Sequence, residues 1–146
     1  MFLSFCGVDT RMNFPDHLYT ALKQKGIITF WDDEKLEREK YISEELLKAI
    51  EESKYVIIVF STNCAFSKWC LIELTKIVEC MKKTGLTVLP VFYHVDPSDV
   101  RNQRGTFAEA FAKHEEDIKV NTEDMQAWKA ALKHVGHLFG WHVHDR

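Results

Sequence analysis

This chain contains no stretch of about 18 uncharged apolar residues, the length a helix needs to cross a bilayer. Its longest apolar run, Tyr55 to Phe60, has the length of a buried strand, so a membrane span is excluded and no membrane partner is expected. The N-terminus lacks a basic segment followed by an apolar core, since Met1 leads directly into Phe2-Leu3-Ser4-Phe5. No secretory signal is read there, and a cytoplasmic location is expected, with the nucleus left open. A basic surplus is also missing: the net charge is -3 and the pI is near 6.2, which does not suit a surface built to neutralise many phosphates. Nucleic acid is not expected as a partner. The four cysteines (Cys6, Cys64, Cys70, Cys80) include no C-x-x-C pair, which together with the missing signal favours reduced thiols. His134 and His137 would share a helical face, but the cysteines lie far away in sequence and no acidic ligand completes a set, so no metal site is expected. Internal repeats and low-complexity tracts are absent as well.

What is present fits one domain spanning residues 1–146, with 46% hydrophobic and 28% charged residues. Phe2 to Phe5, Ile27 to Trp31, Tyr55 to Phe60 and Thr87 to Phe92 read as strands, being rich in β-branched and aromatic residues. Four helical patterns separate or follow them. The first carries Phe14, Leu18 and Leu22 and ends near Gly26; the second begins at Ser43, places Glu44 and Glu45 in its first turn and buries Leu46, Leu47 and Ile50. The third runs from about Ser67 to Met81 with Leu71, Leu74, Val78 and Met81 in one stripe, and Gly85 ends it; the last, near Thr122 to Phe139, uses Met125, Trp128, Leu132 and Val135. This alternation predicts an α/β protein of flavodoxin-like, doubly wound type, with a mostly parallel four- to five-stranded sheet covered by helices on both faces. Val56-Ile57-Ile58-Val59-Phe60 suits a strand buried on both faces. Pro90 would remove a ladder donor, so the fourth strand is expected to be an edge or distorted there. His94 to Gly105 reads as a long irregular connection.

Open sheets of this kind bind ligands at the carboxyl ends of their strands where strand order reverses. For flavodoxin-like order that crevice lies between the first and third strands, lined by Cys6 to Arg11, Asp32 to Ile42, and Ser61 to the start of the third helix. Glu73 stands out there, with mostly apolar sequence neighbours and Trp69 one turn back on the same face. Burial against an indole would disfavour the ionised form and move the carboxyl toward the range of an acid/base or electrostatic catalyst. An exposed ion pair with Lys76 at i+3 is the competing reading. Gly7 with Asp9-Thr10-Arg11 could offer N–H groups and a guanidinium to a phosphate, but no second glycine completes a P-loop or dinucleotide fingerprint, and Asp9-Thr10 equally suit a turn or helix cap. Cys70, near a helix start, could be a thiolate nucleophile but reads better as a small buried residue. The mixed-charge run Asp32 to Lys40 reads as a solvated loop whose signs would also suit contact with a second copy.

Taken in order, these segments resemble the plant Toll/interleukin-1 receptor (TIR) domains of intracellular disease-resistance receptors. The similarity covers essentially the whole chain. Phe2 to Arg11 resembles the opening strand and loop of that family, and Phe30-Trp31-Asp32-Asp33 with Leu36-Glu37-Arg38 resembles the entrance to its BB loop. Ser67 to Leu74 looks like its catalytic helix, and Pro90 to Arg101 like its most distinctive signature. Gly105-Thr106-Phe107 and Gly140-Trp141 also match. The resemblance implies an NAD⁺ glycohydrolase that cuts the nicotinamide–ribose bond, giving ADP-ribose or cyclic and adenylated variants, in innate immune signalling and cell death. NAD⁺ is then a substrate, and no cofactor is implied. Glu73 matches the catalytic glutamate, while Phe5, Cys6, Gly7, Arg11, Asp32 and Trp69 match positions around the substrate. Self-association, with itself and other TIR domains, is implied too: His17 and Gly105 match positions at or near two family interfaces.

Three positions depart from the family pattern. Cys6 stands where an arginine is usual, Val8 where a glutamate is common, and Glu39 in place of a BB-loop glycine. The first removes a permanent cation with five donors, which implies reduced activity. The chain also begins inside the first strand, where relatives usually have earlier residues. The alternative to an enzyme is a non-catalytic interaction module, a decoy or adaptor pairing with other TIR domains through the His17 and Gly105 surfaces. A response regulator is disfavoured because Phe60-Ser61 stands where a phosphoacceptor aspartate is needed.

Overall fold

The structure is a computed structural model that describes residues 1–6, 14–26, 30–31 and 44–143. Its elements are β1 (Phe2–Cys6), α1 (Phe14–Gln24), β2 (Phe30–Trp31), α2 (Glu44–Glu52), β3 (Tyr55–Phe60), α3 (Lys68–Thr84), β4 (Thr87–Tyr93), α4 (Pro97–Asn102), α5 (Thr106–Glu116), α6 (Thr122–Gly136) and β5 (Trp141–Val143). The strands form one sheet in the order β2-β1-β3-β4-β5, and every pairing is parallel. This is the flavodoxin-like, doubly wound arrangement expected from the alternation of strand and helix.

The alternation of side chains along β3 explains its unbroken apolar run. Val56, Ile58 and Phe60 enter the larger core layer with Leu71, Leu74 and Ile77 of α3, Phe107 and Phe111 of α5, and Trp128 and Leu132 of α6. Ile57 and Val59 enter a smaller layer on the other face, with Leu3, Val91 and, from α1, Leu18 and Leu22. Both faces of the strand are buried, so no polar position is required.

Local chemistry sets the helix ends. The Ser67 hydroxyl accepts from the Cys70 N–H at 3.2 Å and opens α3, while Gly85, at φ 75°, closes it with its N–H on the Met81 carbonyl. The predicted stripe of α3 is realised: Leu71, Leu74 and Val78 are buried and Met81 is half-buried. Gly26 follows α1 at φ 77°, and Ile50 of α2 is fully buried; Ser43 and the side chains of Leu46 and Leu47 lie outside the described residues. The first three residues of the predicted Ile27 to Trp31 strand also lie outside them.

Three expectations are corrected. His94 to Gly105 is not irregular: it contains α4, opened by Asp96, whose carboxylate accepts from the Ser98 N–H at 2.8 Å, with Pro97 at the first helical position. Six residues are too few for a periodic signal, and α5 after it was not read from the sequence either. Second, β4 is not an edge, because β5 pairs with its Val91–Tyr93 half. Pro90 is tolerated because its position pairs only with β3, one residue before the β5 pairing starts, and because Gly140 lies so close that a Cβ there would stand 2.3 Å from the Pro90 carbonyl oxygen. Third, reduced thiols hold for Cys70 and Cys80, both free and buried, but Cys64 is disulfide-bonded. Pairing follows spatial proximity, which spacing along the chain does not report.

Candidate active site

Strand β1 continues into α1 on the smaller layer, and β3 continues into α3 on the larger one. The two strands are neighbours, so their carboxyl ends flank the point where the winding reverses. Residues 61 to 67 carry the chain from β3 to α3 through a 3-10 turn, Cys64–Phe66, whose residues Cys64 and Ala65 are buried. Glu73 stands in the second turn of α3, the helix that this turn opens.

Glu73 is only 2% exposed and sits among apolar residues of the larger layer. Its Oε1 accepts a hydrogen bond from the Ser4 hydroxyl in the middle of β1. A buried carboxyl is costly unless hydrogen-bonded, and Ser4, itself buried, supplies a donor. The exposed ion pair with Lys76 is thereby excluded: Lys76 instead lies near Glu51 and Glu79, at 3.8 and 4.0 Å. Ser4 was not singled out in the sequence. Its signal was there, one hydroxyl inside the apolar strand Phe2-Leu3-Ser4-Phe5, on the same face as Phe2.

Trp69 lies one turn before Glu73 and is partly buried against the larger core layer. Cys70 is buried, in keeping with the small-residue reading. Phe5 and Cys6 end β1, and Cys6 pairs with Phe60 in the sheet register, so both stand at the carboxyl edge; their side chains lie outside the described residues. Gly7, Val8, Arg11, Asp32 and Glu39 lie outside them entirely. His17 is an exposed residue of α1, and Gly105, at φ 59°, precedes α5, so the two belong to separate elements.

A shallow cavity of about 540 Å³ opens elsewhere on the carboxyl edge, lined by His94, Val95, Asp96, Pro97 and His142. None of these was a predicted site residue. Among the described residues, no group of three or more His, Cys, Asp or Glu side chains is arranged to hold a metal ion, and no helix is long and apolar enough to cross a membrane.

A doubly wound parallel sheet with a buried glutamate on α3 bonded to a serine of β1 defines an α/β protein of flavodoxin-like type. The chain belongs to the TIR domain family, whose profile matches residues 1–146. It is 56% identical over 145 residues to disease resistance protein RPV1 of Vitis rotundifolia, a match covering 99% of this chain and 10% of that protein. It is 53% identical over 140 residues to TMV resistance protein N of Nicotiana glutinosa, covering 96% of this chain and 12% of that protein. The chain thus spans about a tenth of the length of these relatives. Among solved structures, the TIR domains of the activated Roq1 resistosome, which directly recognises the pathogen effector XopQ, superpose with a TM-score of 0.85 at 50% identity, covering 97% of this chain and 85% of that one.

Proposed function

We propose that this TIR domain cleaves NAD⁺ at the nicotinamide–ribose bond and that Glu73 is its catalytic residue. The observation carrying the proposal is the buried Glu73 carboxyl, hydrogen-bonded by Ser4, at the switch point of the sheet. Cleavage breaks the bond from C1′ of the ribose to the pyridinium nitrogen, whose ring takes the electron pair and leaves as neutral nicotinamide. Positive charge develops on the ribose, and a carboxylate held in an apolar setting stabilises it more than bulk water would. Water then bonds to C1′ and loses a proton, giving ADP-ribose; attack by a group of the substrate itself gives a cyclic product. NAD⁺ is consumed, and no further cofactor is needed. Phe5, Cys6, Gly7, Arg11, Asp32 and Trp69 are proposed to line the substrate crevice.

Activity is proposed to require association with further copies or other TIR domains through the surfaces bearing His17 and Gly105, with the chain acting in plant immune signalling and cell death in the cytoplasm. The Roq1 relative is a resistosome, and RPV1 and N are named for disease resistance, which supports this reading. One observation favours a non-catalytic partner module: cysteine occupies position 6, where the family resemblance calls for arginine. The test incubates tethered wild type, Glu73→Ala and Cys6→Arg with NAD⁺ and identifies products by mass. Wild type should release nicotinamide, Glu73→Ala should lose at least about 100-fold, and Cys6→Arg should gain. No turnover by either wild type or Cys6→Arg would leave the partner module as the reading.

A further inference from the structure

The buried histidine His114 has no part in the chemistry above, yet it reaches the segment that launches the catalytic helix. It lies on α5, is 6% exposed, and its ring meets Phe111 and Trp128 edge-on, at centroid distances of 6.0 and 5.5 Å. Its Nε2 stands 2.8 Å from the carbonyl oxygen of Ala65. A carbonyl only accepts, so Nε2 carries the proton and donates. Ala65 is the centre of the 3-10 turn between β3 and α3, in which Cys64, Phe66 and Ser67 donate to the carbonyls of Ser61, Asn63 and Cys64. The Ala65 carbonyl is satisfied from outside the turn, by His114.

Two further bonds join the same pair of segments. At the start of α5 the Thr106 hydroxyl donates to the Thr62 carbonyl, and just past its end Asp117 accepts from the Lys68 ammonium, in the first turn of α3. The Thr106 bond is exposed and the Lys68–Asp117 pair partly exposed, so solvent competes for both. The His114 bond lies between them and is buried, where competition from water is weakest.

We infer that His114 is a positioning residue for Glu73: by holding the Ala65 carbonyl it fixes the 3-10 turn, hence the Ser67 cap and the rotational setting of Trp69 and Glu73 on α3. This deepens the NAD⁺-cleavage reading and rests on it for its kinetic consequence, while its structural consequence stands independently. Because the buried aromatic contacts of Phe111 and Trp128 fix the ring, its donor arrives at one place and aims one carbonyl. Of the residues proposed to line the crevice only Trp69 rides on α3, while Glu73 acts at the breaking bond, so the larger effect falls on the chemical step.

The test compares wild type, His114→Leu, which removes the donor, and His114→Gln, which retains one, as the whole chain. Two readouts are taken: kcat and KM for nicotinamide release under tethering, and amide hydrogen exchange at Cys70 and Leu71, which bond to Ser67, against Ile77 and Val78 further along α3. His114→Leu should lower kcat about 10- to 100-fold, as a small misplacement does, with KM changed less than about twofold. Exchange should quicken about tenfold at Cys70 and Leu71 and not at Ile77 and Val78. His114→Gln should restore both. If His114→Leu does not fold, His114→Asn takes its place, since its amide is one methylene shorter than that of His114→Gln and should fail to reach. Unchanged exchange at Cys70 and Leu71, equal acceleration along all of α3, or an unchanged kcat in an active protein each overturns the inference. A wild type without turnover defeats the NAD⁺-cleavage reading instead, and the exchange arm still decides the role of His114.

Discussion

A carboxyl placed in an apolar layer loses its hydration, and only direct donors replace what water supplied. At Glu73 the Ser4 hydroxyl is one such donor, reaching from β1 to α3 across the switch point. The arrangement fixes the carboxyl and excludes solvent, two conditions that the proposed charge stabilisation requires. Ser4→Ala leaves Glu73 one donor short without changing the apolar packing around it. The expected loss is about 1–3 kcal/mol of folding stability, read as a lower urea midpoint at unchanged slope. An unchanged midpoint would mean that the serine contributes nothing to holding Glu73. Glu73 itself was legible in the sequence because its neighbours Cys70, Leu71, Ile72 and Leu74 are apolar, and Trp69 stands one turn away. Ser4 was not, since its partner is 69 positions distant and no local pattern links a strand hydroxyl to a helix carboxyl.

Among the elements, contact between helices α4 and α6 governs what substitutions are allowed. Gly136 ends α6, and a Cβ built there would stand 2.7 Å from the Arg101 Cβ and 2.8 Å from its backbone nitrogen. Helix propensity alone says that Gly136→Ala stabilises by about 1 kcal/mol. The approach of the Arg101 backbone reverses that sign, and a loss of about 1–3 kcal/mol is expected from forced repacking. Thermal unfolding decides: a raised Tm for Gly136→Ala contradicts this packing. The long helices α3 and α6 could be read from their stripes and caps, because each repeats its apolar spacing over several turns. Helix α4 could not. Its six residues give no period, and its ends are made by single side chains, the Asp96 carboxylate at the start and the Gln103 amide donating to Val100 and Arg101 at the end. Strand β5, three residues long, was missed for the same reason, and with it the second neighbour of β4.

On the scale of the whole molecule, strand order is the property that gives the other features their meaning. Parallel order β2-β1-β3-β4-β5, as the flavodoxin-like reading expected, makes β1 and β3 neighbours and brings residues 4 and 73 together. Helix α5 runs from Gly105, beside a proposed association surface, to Asp117, bonded to the first turn of α3. Lys68 and the Lys119 N–H hold the Asp117 carboxyl below its usual range, so this link persists at neutral pH and is lost only on strong acidification. Helix α5 therefore links the proposed association surface at Gly105 to the first turn of the helix that bears Glu73. The central claim is that Glu73 cleaves NAD⁺ when copies associate. Its most direct test is nicotinamide release per molecule across a dilution series, free and tethered, for wild type and Glu73→Gln. The account predicts that wild-type release per molecule rises with concentration and is highest when tethered, while Glu73→Gln stays at background throughout. Release that persists in Glu73→Gln, or that is missing from the tethered wild type, contradicts it.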